Sequence, residues 1–335
     1  MRLLSKAGDC YDERDRVTGR VRDAGRNMQT DDSNRTPDLQ LADSPETRPA
    51  RVRFVQVRKV EKGAARLESD LLAVEEPLEI LLGFTSGEKR VEKTLSITMR
   101  TPGHDRELAA GFLYTEGIVL RPQDIEGVFP SRNSEGDLHN GVRVDLRPGV
   151  EFDDTQLDRH FYTTSSCGVC GKASLQTLRV HPSRKILADR PRVDSRVIEG
   201  LGPALRAGQK VFRQTGGLHA AGLFDGGGSL LSLREDVGRH NAVDKLIGRE
   251  VLRGRLPLED RLMMVSGRTS FEILQKAVMA GIAMVVAVSA PSSLAVALAR
   301  DFGMTLVGFV RPGRFNVYAH AGRIAWKSAP VVAEG

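Results

Sequence analysis

Cysteine is scarce in this chain, with three in 335 residues. Three cysteines cannot all pair with one another, and a secreted chain stapled by disulfides would carry more, so the usage points to a reducing compartment. Long apolar runs are missing too. No stretch approaches the roughly 20 apolar residues that a membrane-spanning helix needs. The opening Met-Arg-Leu-Leu-Ser-Lys lacks the apolar core of a secretory leader. The expected location is therefore the cytoplasm, with no membrane partner. Aromatic residues make up only 5% of the chain. Without interleaved aromatic and basic side chains there is no stacking platform for bases, so nucleic acid is not the favoured partner of the net charge of +6. Anionic small molecules such as nucleotides account for the charge as well.

Two of the three cysteines sit three residues apart. Cys167 and Cys170 lie in Ser-Ser-Cys-Gly-Val-Cys-Gly-Lys, flanked by small residues that offer no bulk to bury a thiol. Gly168 and Gly171 open backbone conformations closed to other residues, and Lys172 sets a positive charge near any thiolate. Ala173 to Val180 reads as a helix, whose N-terminal dipole would lower the pKa of Cys170. The pair is expected to be catalytic, redox-active or metal-binding. Cys10, in a polar stretch, is left unassigned.

At 40% hydrophobic residues the chain can bury one large or two modest cores. Residues 1–50 are expected to form a disordered polar tail, because Asp9 to Pro49 has almost no aliphatic periodicity. Residues 51–165 read as an N-terminal α+β part. It begins with a strand at Val52, Phe54, Val55 and Val57, and continues with alternating Leu78, Ile80 and Leu82. A turn at Ser86-Gly87-Glu88 leads to alternating Leu95, Ile97 and Met99. A helix opens near Asp105, carries Leu108, Ala109, Phe112 and Leu113, and is closed by Gly117. A strand follows from Val142 to Leu146. Residues 166–180 hold the cysteine loop and its helix, 181–328 form a second domain, and 329–335 are a tail.

The second domain reads as a layered α/β sheet. A helix is expected from Ile198 to Thr215, then a strand through Leu230, Leu231 and Leu233 and a helix presenting Ala242, Val243, Leu246 and Ile247. Two strand-helix units follow, Leu262–Val265 with Phe271–Ala280 and Met284–Val288 with Leu294–Phe302. A last strand covers Thr305–Val310, with Phe315 to Tyr318 continuing it. Apolar strands this short imply burial on both faces. Their ends deliver Ser266-Gly267-Arg268-Thr269-Ser270, Ser289-Ala290-Pro291-Ser292-Ser293 and Arg311-Pro312-Gly313-Arg314 to one rim, where such sheets hold ligands. Two readings stand side by side. Serine and glycine serve as caps and turns, but capping needs no arginine, and Arg268, Arg311 and Arg314 suit a pyrophosphate. His219 and His240 sit beside glycines at element ends. A metal site joining them to Cys167 and Cys170 ranks low, because structural zinc uses four ligands in close pairs. Asp236 and His240 equally suit a hydrogen-bonded pair that fixes a turn. His104, His139, His160, His181 and His320 read as surface or cap residues.

Four segments together carry a resemblance: Cys-Gly-Val-Cys-Gly at 167–171, Glu-Asp-Val-Gly-Arg-His-Asn-Ala-Val-Asp-Lys at 235–245, Ser-Gly-Arg-Thr-Ser-Phe-Glu at 266–272, and Gly-Phe-Val-Arg-Pro-Gly-Arg-Phe-Asn-Val-Tyr at 308–318. In this order, over about residues 51 to 328, they resemble the FdhD family of sulfur carriers required for formate dehydrogenase activity. The resemblance implies a sulfurtransferase that takes persulfide sulfur from a cysteine desulfurase. It passes that sulfur to the molybdenum cofactor, as bis(molybdopterin guanine dinucleotide), before insertion into the catalytic subunit of formate dehydrogenase. It implies Cys167 as the persulfide carrier, with Cys170 assisting or sharing the role. Phe309, Val310, Arg311, Pro312, Gly313 and Arg314 are implied as the cofactor-binding segment, and the assembly as a homodimer. The cofactor is cargo, and no permanently bound metal is expected.

The resemblance also implies a C-terminal domain similar to cytidine deaminases. Here Ala221 stands where a deaminase needs its proton-shuttling glutamate, and the cysteine pair precedes His219 instead of following it, so deaminase chemistry is not expected. A thioredoxin-like disulfide reductase and a non-catalytic nucleotide- or metal-binding module are the competing readings. Against the first, the cysteine pair lacks the βαβ context of that fold.

Overall fold

The N-terminal strands form where β-branched and leucine residues alternate with charge. The computed structural model describes residues 50–132, 138–150, 186 and 189–326. The expected tails, the cysteine loop with Cys167 and Cys170, the helix expected after it, and His160 and His181 lie outside these residues. Strands β1 (Val52–Glu61) and β2 (Ala64–Ala73) pair into a two-stranded antiparallel ribbon. Strands β3 (Glu76–Ser86) and β4 (Lys89–Arg100) form a hairpin that turns at Gly87, whose φ is +60°. Helix α1 (Asp105–Thr115) follows, then β5 (Ile125–Arg132) and β6 (Leu138–Leu146), giving a sheet in the order β4-β3-β6-β5.

One reading needs correction here. Leu95, Ile97 and Met99 do not share a buried face. The pairing slips between Ile80 and Leu81, where Leu95 is the extra residue, and this bulge turns the following positions over. Leu95 is buried, whereas Ile97 is 63% and Met99 49% exposed. Strand β5 was not anticipated, because a glycine and a proline interrupt its apolar pattern.

After the two-residue strand β7 (Val193–Asp194) come helices α2 (Ser195–Gly208) and α3 (Phe212–Thr215). The single helix expected from Ile198 to Thr215 is thus two. The buried carboxylate of Glu235 accepts the amides of Val211 and Phe212 at 3.1 and 2.8 Å and seeds a separate turn. Strands β8 (His219–Phe224) and β9 (Leu230–Asp236) form a hairpin that runs into helix α4 (Arg239–Leu252). Then β10 (Leu262–Val265), α5 (Phe271–Met279), β11 (Met284–Ala287), α6 (Ser293–Asp301), β12 (Thr305–Arg311) and β13 (Arg314–Ala319) follow, with a short β14 (Ile324–Ala325) beside β7.

The second sheet runs β13-β12-β11-β10-β8-β9, with β10, β11 and β12 mutually parallel. Every residue of β10 and β11 is buried, as two-sided coverage requires. Leu262 and Met264 face Ile198, Leu201 and Leu205 of α2, while Met263 and Val265 join Ile273, Leu274 and Leu298 of α5 and α6. The mixed α/β class is as read from the sequence. Beyond it, one apolar cluster runs from Leu78, Ile80 and Leu82 of the first sheet through Leu108 and Leu113 of α1 to Met263 and Val285 of the second.

Helices α1 and α4 carry that continuity. A β-carbon on Gly111 would sit 1.9 Å from the carbonyl oxygen of Asp244, and one on Gly248 1.8 Å from that of Glu107. The two backbones therefore touch, and glycine is what the crossing admits. Buried charge locks it. Lys276 lies 3.0 Å from Asp244 and 2.7 Å from Glu116, and Thr115 donates its hydroxyl to Asp244 at 2.7 Å. Burial pushes the Asp244 carboxyl up to about 6, while the two carboxylates overcome burial and hold Lys276 above its ordinary value.

Candidate functional site

The parallel strands end on one rim, and backbone hydrogen bonds sew its loops together. The amide of Thr269, after β10, donates to Ala290 at 3.2 Å, and the amide of Ser292 returns to Thr269 at 2.9 Å. The amide of Phe309 reaches Ser289 at 3.3 Å, and Arg311 Nη1 donates to the carbonyls of Val288 and Val310, each at 2.8 Å. Strand β8 is antiparallel to β10, so its first residue, His219, opens at this same end. The amide of Ala220 donates to Ser266 Oγ at 2.9 Å. The three loops expected at one rim are thus brought together, and His219 and the start of α4 join them.

At one end of the rim, β12 and β13 are joined through Pro312 and Gly313, with Arg311 opposite Arg314. Proline first and glycine at φ +74° second suit a tight turn. Phe309 takes a φ of +54° and is 43% exposed, while Val310 turns into the core. Gly308 keeps the hairpin close to the neighbouring loop, since a β-carbon there would lie 3.1 Å from the Ser289 carbonyl oxygen and 3.2 Å from Pro291. Arg311 therefore anchors the hairpin to β11, and Arg314 stands exposed at its tip. Arg268, on the loop after β10, is exposed as well.

The other end is built by the segment Glu235 to Lys245. Asp236, fully buried, pairs with Lys245 at 2.6 Å and accepts the amides of Thr101 and Gly238 at 3.2 and 2.8 Å. It also accepts Asn241 Nδ2 at 3.2 Å. The Asp236–His240 pair considered from the sequence does not form. Asp236 is occupied beneath the turn, and His240 Nε2 instead meets Ser270 Oγ at 3.3 Å. Burial, then Lys276 and Arg239, pull the His240 imidazole down to about 4. His219 is also held below its ordinary value, by burial and the charge of Arg239 against the pull of Asp236. Both rings are neutral at pH 7.

Arg239 is the residue that reading the sequence missed. It opens α4, and its buried Nε has no hydrogen-bond partner among the described residues. The signal available was a Gly-Arg-His run at a strand-to-helix junction. No grouping of His, Cys, Asp and Glu among the described residues could hold a metal ion. His104 makes a surface pair with Glu107 at 3.3 Å, and His320 Nε2 lies 3.1 Å from the Arg300 carbonyl oxygen. Ala221 is buried with no exposure, and no helix among the described residues is long and apolar enough to cross a membrane.

Comparison with known proteins adds four findings. A family model, that of the FdhD/NarQ family, matches residues 73–325. The chain is 50% identical over 279 residues to the sulfur carrier protein FdhD of Streptomyces coelicolor, covering 82% of this chain and 96% of that protein. It is 47% identical to the protein of the same name from Mycobacterium tuberculosis, over 80% of this chain and 97% of the relative. Among solved structures, a candidate formate dehydrogenase accessory protein from Desulfotalea psychrophila superposes with a TM-score of 0.62 at 25% identity, over 82% of this chain and 100% of that one.

Proposed function

Because the chain belongs to the FdhD/NarQ family, we propose that it is a cytoplasmic sulfurtransferase that serves formate dehydrogenase. It takes persulfide sulfur from a cysteine desulfurase and delivers it to the molybdenum cofactor, as bis(molybdopterin guanine dinucleotide), before insertion into formate dehydrogenase. The observation that carries this reading is near full-length similarity to proteins named sulfur carrier protein FdhD, joined to a cysteine pair set among small residues.

The chemistry follows from the thiolate. Cys167, as S⁻, attacks the terminal sulfur of the donor's persulfide. The donor's S–S bond breaks, its cysteine leaves as thiolate, and Cys167 carries the sulfur as Cys-S-SH. For delivery, the Cys170 thiolate attacks Sγ of Cys167. The Cys167–Cys170 disulfide forms, and sulfide leaves with the two electrons that the thiols supply, as a ligand for the metal. Lys172 favours the anionic forms at both steps.

The cargo's anionic arms fit the rim. Phe309 to Arg314 is the segment assigned to a guanine dinucleotide, with Arg314 free to meet a pyrophosphate and Arg311 fixing the hairpin. A homodimer is part of the same proposal. The β1–β2 ribbon puts Phe54, Val60 and Leu67 on one face, at 75, 64 and 71% exposure. Its other face carries Lys59, Glu61, Arg66 and Glu68 in ion pairs. Three exposed large apolar side chains on one face, set among Gln56, Arg58 and Ser69, favour cover by a second copy.

The test is complementation. In a host lacking its own family member, the wild-type chain restores formate dehydrogenase activity, and Cys167→Ala at equal abundance does not. Full activity from Cys167→Ala would remove the carrier role from that residue.

A further inference from the structure

A charged cavity lies at the end of the second sheet opposite the rim. It measures about 500 Å³ and is lined by Asp189 to Arg192, Gly226, Asp260 and Arg261. Strand β8 ends before Gly226 and β10 begins after Arg261, so the length of β10, about 13 Å, stands between the cavity and the rim. Its floor is fixed from below. Arg323, 1% exposed, donates its Nε to the carbonyl oxygen of Arg190 and its Nη1 to that of Gly303, each at 2.7 Å. Pro191 is buried, and Val193 pairs with Ile324 where β7 meets β14. Asp225, in the turn beside Gly226, is spent on the amides of Gly227 and Ser229 at 3.0 and 2.8 Å. Elsewhere on the surface opposite charges close on each other, as Arg121 does on Asp124 at 3.0 Å and Arg196 on Asp194 at 2.6 Å. Among the described residues Arg190, Arg192 and Arg261 make no such pair, although Asp189 and Asp260 line the same cavity. Three forked donors are thus left open at one place, in the geometry that suits carboxylates.

We propose that this cavity docks a short segment of the sulfur-donor protein, one that carries more carboxylates than basic side chains. This rests on the sulfurtransferase reading given above and names the place where the donor engages. Three guanidiniums against two carboxylates, set over the buried charge of Arg323, ask for an occupant of net negative charge that also bears a cation. Asp189, Arg190, Arg192 and Asp260 are exposed, so the cavity is open and charged, whereas a small-molecule pocket is enclosed and mostly apolar. A segment of another protein fits the first description. The position in the chain points to the donor. The stretch bearing Cys167 and Cys170 leaves the described residues after Val150 and, past Ile186, rejoins them at Asp189, the first residue of the cavity wall. A donor held here engages the chain at the root of that stretch and leaves the rim at the other end open for the cargo.

Sulfur loading of the full chain by a purified cysteine desulfurase and free cysteine tests this, read as the added mass on the peptide holding Cys167 and Cys170 while desulfurase concentration and salt are varied. Arg192→Glu combined with Arg261→Glu is expected to raise the desulfurase concentration needed for half-maximal loading by about tenfold to a hundredfold. The wild-type rate falls with added salt, and that fall is lost in the double variant. Loading by inorganic polysulfide, which needs no docking, stays at the wild-type rate. Thermal unfolding checks that the variant is folded, and Arg190→Glu, at an exposed side chain, is the reserve. Wild-type loading by the desulfurase in the folded variants, even with formate dehydrogenase activation lost, overturns the donor as occupant and leaves the carrier reading standing. An equal loss with polysulfide overturns the docking site too, because the substitutions then act on the cysteines directly. A wild-type chain loaded by neither source overturns the carrier reading along with it.

Discussion

Glu107 shows how single side chains tie the two sheets together. It sits on α1 and receives Arg234 of β9, whose Nη2 donates to Oε1 at 2.6 Å, with His104 3.3 Å away. Burial works against its charge, but the hydrogen bonds and charges of Arg234 and His104 win, holding the carboxyl at about 2 against an ordinary 4.5. A depressed acid stabilises the fold above its unfolded pKa, and the contribution is lost as pH falls from 4.5 toward 2. At 1.36 kcal/mol per unit the shift amounts to about 3 kcal/mol. Glu107→Gln is therefore expected to lower unfolding stability at pH 7 by about 2 to 3 kcal/mol and to flatten the acid limb below pH 4.5, read by urea titration across pH. An unchanged acid limb would contradict the assignment. His240 acts in the same direction at higher pH. Its depressed value of about 4 means that stability is lost as pH drops below the unfolded value of 6.5.

Elements differ in how openly the sequence announces them. The short strands β10, β11 and β12 were legible because uninterrupted apolar runs bounded by Ser, Gly and Pro have few other uses, and α4 because Ala242, Val243, Leu246 and Ile247 recur at helical spacing. The bulge at Leu95 was not legible, since alternation alone cannot show that a partner strand skips a residue. Nor was the break between α2 and α3, because it depends on Glu235 arriving from a strand more than twenty residues on. The β1–β2 ribbon is an element whose partner is inferred from its surface. Phe54→Glu with Leu67→Glu is expected to shift the mass measured by light scattering from twice the chain mass to the single-chain 36.6 kDa. A mass already at one chain for the wild type, or unmoved by the substitutions, would show that this face is covered by something other than a second copy.

At the scale of the whole molecule, the apolar cluster and the Asp244–Lys276–Glu116 group join the first sheet to the second through α1, α4 and α5. The rim at the strand ends thus stands on a packed base. The rim was readable because strand ends carry recognisable donors, and the family because four long motifs fall in order. The end built on Arg239 was harder, since a buried, unpartnered Nε is a property of packing. The cysteine pair proposed to carry sulfur, Cys167 and Cys170, lies outside the described residues. The decisive measurement is the mass of the purified chain after incubation with a cysteine desulfurase and free cysteine. The account predicts one added sulfur of about 32 Da, removable by cyanide, on the peptide holding Cys167 and Cys170, and absent in Cys167→Ala. An active desulfurase that leaves that peptide unmodified would contradict the carrier role.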